Sequence, residues 1–154
     1  MEKKYKTVKE GNMLRIIALK DFSDVMRGDV GGLIEKEENL SQDGRCWVYE
    51  NAQVYDNARV YGSVKISGNA RVFGNAKVCG KVQIHNNARV SGNAQVYRKA
   101  KICGDAKVCG KTKVGGDTQV SRSTCVSSEK KIHWRTLLTP DDLNKIRNKN
   151  KKKV

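Results

Sequence analysis

The sequence predicts an all-β chain wound as a parallel β-helix of triangular cross-section, and three observations predict it. Starting at Val48 and stepping by six, the chain gives Val48, Val54, Val60, Ile66, Val72, Val78, Ile84, Val90, Val96, Ile102, Val108, Val114, Val120, Val126 and Ile132, fifteen branched residues in fifteen positions. Two residues before most of these stands a small one: Ala52, Ala58, Val64, Ala70, Ala76, Val82, Ala88, Ala94, Ala100, Ala106, Thr112, Thr118 and Thr124. Gly and Asn fill the gaps between units, where a corner needs residues that tolerate positive φ. Neither a helical period nor a heptad runs through this stretch.

Composition agrees. The 154 residues suffice for one domain with a core that needs no disulfide or structural metal. There are 14 Gly against one Pro, and only 6% of the residues are aromatic, so small β-formers must fill the interior. The five cysteines, at 46, 79, 103, 109 and 125, form no CxxC pair, and His85 and His133 are the only histidines. That is the pattern of neither a disulfide framework nor a zinc site, and no cofactor motif is present.

Taken in order, residues 1–45 read as an N-terminal β cap, because an open stack of coils exposes an apolar end that an atypical segment must cover. Met13 to Leu19 reads as a strand, Gly31-Gly32 as a turn, Leu33 to Glu35 as a second short strand, and Glu35 to Glu38 as solvated surface. The N-terminus MEKKYKTVKEGN has no signal-peptide core, and no run of eighteen apolar residues exists, so a soluble, cytoplasmic protein without membrane contact is expected.

Residues 46–133 form the helix proper. A hexad in its purest form is Asn69-Ala70-Arg71-Val72-Phe73-Gly74: a four-residue strand, small-in, polar-out, branched-in and variable-out, followed by a corner. Three hexads close a coil of eighteen residues, and about five coils stacked about 4.8 Å apart make a prism about 24 Å tall.

Residues 134–154 read as a C-terminal helix and basic tail. Thr139-Pro140-Asp141-Asp142 is a helix start, with a cap, Pro at the first position and acids on the positive end of the dipole. Leu143 and Ile146 would turn inward over the last coil. Residues 145–154 carry six Lys or Arg and no acid, which suits either a frayed tail or an arm reaching a phosphate backbone.

Function is read from the outside of the prism. Lys+Arg number 31 against 16 Asp+Glu, a net charge of +15, so an anionic partner is expected. At the outward position before each branched residue, nine of fifteen side chains are cationic and none is acidic. The period of eighteen sorts these into three columns. The first holds Trp47, Lys65, Gln83, Lys101 and Gln119; the second Gln53, Arg71, Arg89, Lys107 and Cys125; the third Arg59, Lys77, Gln95, Lys113 and Lys131. Cations about 4.8 Å apart repel, so Arg71, Arg89 and Lys107 ask for a polyanion. The other outward position adds Tyr49, Tyr55, Tyr61, Phe73 and Tyr97. An aromatic beside an Arg column would give a nucleobase its stacking face and a phosphate its donors. The same rings also suit strand packing or a subunit contact.

The register resembles that of the hexapeptide-repeat superfamily, which implies a left-handed parallel β-helix, trimeric assembly and, in many members, acyl transfer. The segments Ile16-Ile17-Ala18-Leu19, Asp21-Phe22-Ser23-Asp24-Val25, Gly28-Asp29-Val30-Gly31-Gly32-Leu33-Ile34-Glu35, Asn39-Leu40-Ser41 and Cys46-Trp47-Val48-Tyr49 are similar to the start of hexapeptide-repeat proteins of enteric bacteria and their phages, which go under transferase names. The acyltransferases resembled use a His base and a loop thrown out of the helix. His85 is the one such His within the well-formed coils, no hexad is interrupted by a loop, and no residue is placed to activate the cysteines.

The sequence thus points to a non-enzymatic, homotrimeric and phage-encoded binding protein in the cytoplasm of an infected or lysogenic bacterium. It is expected to sequester an anionic nucleotide, such as a cyclic nucleotide signal of anti-phage immunity, on Arg71, Arg89, Lys107, Tyr55, Phe73, Arg59 and Lys77. Nucleic-acid binding, a structural or protein-binding role, and acyl transfer are the alternatives.

Overall fold

Every sixth residue from Gly44 to Arg122 turns the chain with a positive φ: Gly44, Glu50, Asp56, Gly62, Gly68, Gly74, Gly80, Asn86, Gly92, Arg98, Gly104, Gly110, Gly116 and Arg122. These are the corners that the hexad register requires, and no insertion interrupts them. The computed structural model describes residues 2–127 and the strand pairs Lys131–Ile132 and Leu137–Leu138.

Between corners the chain runs straight, and each straight segment hydrogen-bonds to the one eighteen residues on. Arg71 N donates to Ala88 O at 2.9 Å and Phe73 N to Val90 O at 2.9 Å, a pattern that Arg89 and Ser91 repeat one coil later. The result is a parallel β-solenoid of about five turns with three sheets. One contains Trp47–Val48, Lys65–Ile66, Gln83–Ile84, Lys101–Ile102, Gln119–Val120 and Leu137–Leu138. The second contains Gln53–Val54, Arg71–Val72, Arg89–Val90, Lys107–Val108 and Cys125–Val126, and the third Arg59–Val60, Lys77–Val78, Gln95–Val96, Lys113–Val114 and Lys131–Ile132. Regular pairing covers two residues per side, shorter than the four expected, and the chain turns at the second residue after each Val or Ile.

The interior is as the sequence orders it. Ala70, Val72, Ala76, Val78, Ala88 and Val90 have no exposed surface. Each buried Val contributes about 1.5 to 3 kcal/mol. In the last turns Thr replaces Ala, and its hydroxyl is satisfied locally: Thr112 donates to Cys109 O at 2.8 Å and Thr118 to Gly115 O at 2.6 Å.

Three strands cap the first coil: β1 (Tyr5–Glu10), β2 (Met13–Ala18) and β3 (Val30–Ile34). They extend the second sheet in the order β1, β2, β3, Gln53–Val54, so cap and solenoid share one hydrogen-bonded ladder. Tyr5–Glu10 adds a strand within the expected cap. Two expectations are corrected here. Gly31 and Gly32 lie inside β3 rather than in a turn, and serve close packing: a β-carbon on Gly31 would stand 2.6 Å from Ile16 Cγ1 and 2.8 Å from Trp47 Cζ2. Trp47 does not point to solvent; it is 1% exposed, with Phe22 and Tyr5 edge-on at ring separations of 5.3 and 6.3 Å.

The cap also buries Lys4, whose ammonium donates to Cys46 O at 2.8 Å and Cys46 Sγ at 3.2 Å and lies 5.2 Å from the Phe22 ring centre. Burial holds Lys4 below the usual lysine range and pushes the Cys46 thiol up. The helix expected from Thr139 and the basic tail 145–154 lie outside the described residues. Among the described residues no helix is long and apolar enough to cross a membrane.

Candidate anion-binding face

The second sheet sets Arg71, Arg89 and Lys107 opposite one another: Arg89 pairs with Arg71 below and Lys107 above. All three side chains are exposed, and none forms an ion pair with a described residue. They line an open groove of about 380 Å³ together with Asn69, Asn87 and Asp105. The amides form a ladder along its edge, Asn69 Nδ2 to Asn87 Oδ1 at 3.4 Å and Asn87 Nδ2 to Asp105 Oδ1 at 3.1 Å. Each Asn stands two residues before its Arg or Lys, so strand alternation brings both to one side.

The predicted aromatics divide from this groove. Tyr55 and Phe73 stack on each other with ring centres 5.0 Å apart and planes 2° from parallel, so each ring has one face already used. Neither lines the groove of Arg71, Arg89 and Lys107. Phe73 stands two residues after Arg71, and Tyr55 two residues after Gln53 in the same column.

Arg59 and Lys77 pair with each other on the third sheet, and so do not join the other five site residues. Lys77 instead lines a groove of about 450 Å³ with Tyr61, Cys79, Gln95, Val96, Tyr97 and Lys113. Tyr61 and Cys79 share a hydrogen bond that raises the tyrosine hydroxyl above its usual range. Tyr61 and Tyr97 were recognisable as outward aromatics, but their convergence on one groove follows from ring direction, which spacing alone does not give.

The other candidate chemistry is placed as follows. His85 is half-buried, and its ring makes no hydrogen bond or ion pair with a described residue. Burial, and then the neighbouring Cys125, push the Cys109 thiol up, away from the reactive thiolate. The first face is partly occupied by the cap, since Lys65 lies 3.5 Å from Asp24 and Trp47 is covered.

Set beside known proteins, residues 52–64, 65–80 and 82–98 match the YdcK β-solenoid repeat. The chain is a hexapeptide-repeat-like β-solenoid. A protein of Escherichia coli (strain K12) named uncharacterized acetyltransferase YdcK is 42% identical over 48 residues, 31% of this chain. That match spans 15% of the relative's length. The transferase name of this relative lends no support to the expectation that the solenoid is not an enzyme.

Proposed function

We propose that the solenoid binds an anionic nucleotide, with Arg71, Arg89 and Lys107 holding its phosphates, and that it sequesters the ligand rather than converting it. The in-register stack of these three cations, none ion-paired to a described residue, carries the reading. Two unit charges about 5 Å apart repel by about 0.8 kcal/mol in water, and more where solvent is displaced. A ligand with several negative charges removes that repulsion and adds charge-assisted hydrogen bonds. The amide ladder of Asn69 and Asn87 offers further donors beside the column. In a homotrimer, three equivalent clefts would repeat the site. A phage-encoded sponge for a cyclic nucleotide signal is the fullest form of this reading.

Calorimetric titration of cyclic and linear nucleotides into wild type and Arg89→Ala tests it. Saturable binding that the substitution weakens about ten- to a hundredfold supports the site, because a charge-assisted hydrogen bond contributes about 1.5 to 3 kcal/mol. Absence of binding, or equal binding by both proteins, removes it.

Acyl transfer is the second reading, favoured by the name of the Escherichia coli relative. Turnover of acetyl-coenzyme A that depends on His85 would establish it in place of sequestration. The loop that the resemblance implies for holding an acyl carrier has no counterpart between Trp47 and Val126, where the corners recur every six residues.

A further inference from the structure

One corner of the prism sets an arginine in a stack of glycines. The stack Gly44, Gly62, Gly80, position 98 and Gly116 turns with φ between 62° and 85°, and every member but one is glycine. The exception is Arg98, held at φ 62°. A side chain with a β-carbon is strained there, and glycine would fill the corner without strain. Backbone strain of this kind gathers where a side chain is needed in a fixed place.

What surrounds Arg98 gives it something to do. With Lys81, Lys99, Gly80, Gly116 and Asp117 it lines an open groove of about 380 Å³. The three cations are exposed and form no ion pair with a described residue. Immediately before Arg98 stands Tyr97, which lines the neighbouring groove of about 450 Å³ with Tyr61. Its ring is seated by the next coil: Gly115, which does not have the corner's positive φ, would drive a β-carbon into the Tyr97 ring. Tyr97 is thus fixed in direction by a glycine placed for it.

We propose that the corner at Tyr97, Arg98 and Lys99 is a binding site for a planar ring joined to a diphosphate, a nucleoside diphosphate, with the ring on Tyr97 and the phosphates on Lys81, Arg98 and Lys99. Three cations against Asp117 leave a local excess of two positive charges, which favours a polyanion such as a diphosphate over a neutral base. Asp117 can accept from a sugar hydroxyl. Aromatic stacking together with a cationic groove is also how single-stranded nucleic acid is held, so free nucleotide and polymer must be told apart.

The test is calorimetric titration of the full chain with ADP, with pyrophosphate as a probe lacking the ring, and with a single-stranded oligonucleotide. Wild type should bind ADP saturably. Arg98→Gly should weaken ADP at least tenfold while raising the thermal midpoint, because glycine takes the corner's φ freely. That combination separates a lost contact from lost folding. Tyr97→Ala should bring ADP down to the affinity of pyrophosphate, and Tyr97→Phe should keep it. Failure of wild type to bind ADP, equal binding by Arg98→Gly, or binding of the oligonucleotide without ADP would overturn the proposal. Arg89→Ala, on another face, should leave this site intact, so the failure of either site is distinguishable from failure of the other.

Discussion

The Tyr5 hydroxyl donates to the Leu40 carbonyl oxygen at 2.6 Å, with Glu37 O at 3.2 Å. It ties the first strand of the cap to the residue that bridges to Val60 and enters the first coil. Burial pushes this hydroxyl well above its ordinary value of 10.0, with Glu37 a second cause. Above pH 10 the unfolded chain therefore gives up a proton that the folded chain keeps, and stability falls as pH rises. Cys46, also raised, acts in the same direction, whereas Lys4, lowered, acts against it only up to its ordinary value of 10.5. Between pH 10.5 and 12, urea denaturation of wild type should show stability falling by about 1.4 kcal/mol per pH unit more than in Tyr5→Phe. Parallel curves for the two proteins would contradict the burial argument.

Gly31→Ala should destabilise by about 1 to 3 kcal/mol, because the new methyl meets Ile16 Cγ1 and Val48 O, each at 2.6 Å, and neither can move without opening the cap. Gly11, at the β1 to β2 turn with φ 63° and nothing within 4 Å, supplies the contrast. There Ala costs only backbone strain, about 1 kcal/mol. Thermal unfolding of both variants checks the order; a larger loss at Gly11 would show that packing under Trp47 is not tight.

Neighbouring residues on one strand should part company when shortened. Val90 is fully buried, and Val90→Ala should cost about 2 kcal/mol from lost transfer energy and the cavity left behind. Arg89 is exposed, and Arg89→Ala should leave the unfolding midpoint within error of wild type. A large stability loss in Arg89→Ala would mean that the cation supports the coil, and its binding data could no longer be read as a lost contact.

The assembly prediction is a homotrimer meeting on or beside the first face. With Trp47 beneath the cap, the contact falls to the part carrying Gln83 and Gln119, where the charge is lowest. Sedimentation at micromolar concentration should give three times the monomer mass of 17.2 kDa. A monomer at that concentration would end the prediction.

The sequence by itself determined the solenoid because each residue's neighbours are those eighteen positions away, and a period can be read without knowing the structure. Val72, Val90 and Val108 had to stack, and so Arg71, Arg89 and Lys107 had to stack beside them. The corner positions followed too, down to Arg98 and Arg122, which occupy left-handed corners by register and against their own preference. Only the tertiary structure decided what lies outside the period. Gly31 reads equally as a turn or as a close approach, and the choice depends on Trp47 and Ile16 arriving from elsewhere in the chain. Trp47 occupies an outward register position and is buried because the cap folds over it. Ring direction was hidden for the same reason: Phe73 rests on Tyr55 one coil below, whereas Tyr97 reaches up over Gly115. A side chain's column is a property of spacing, but its orientation depends on the size of whatever stands above and below it.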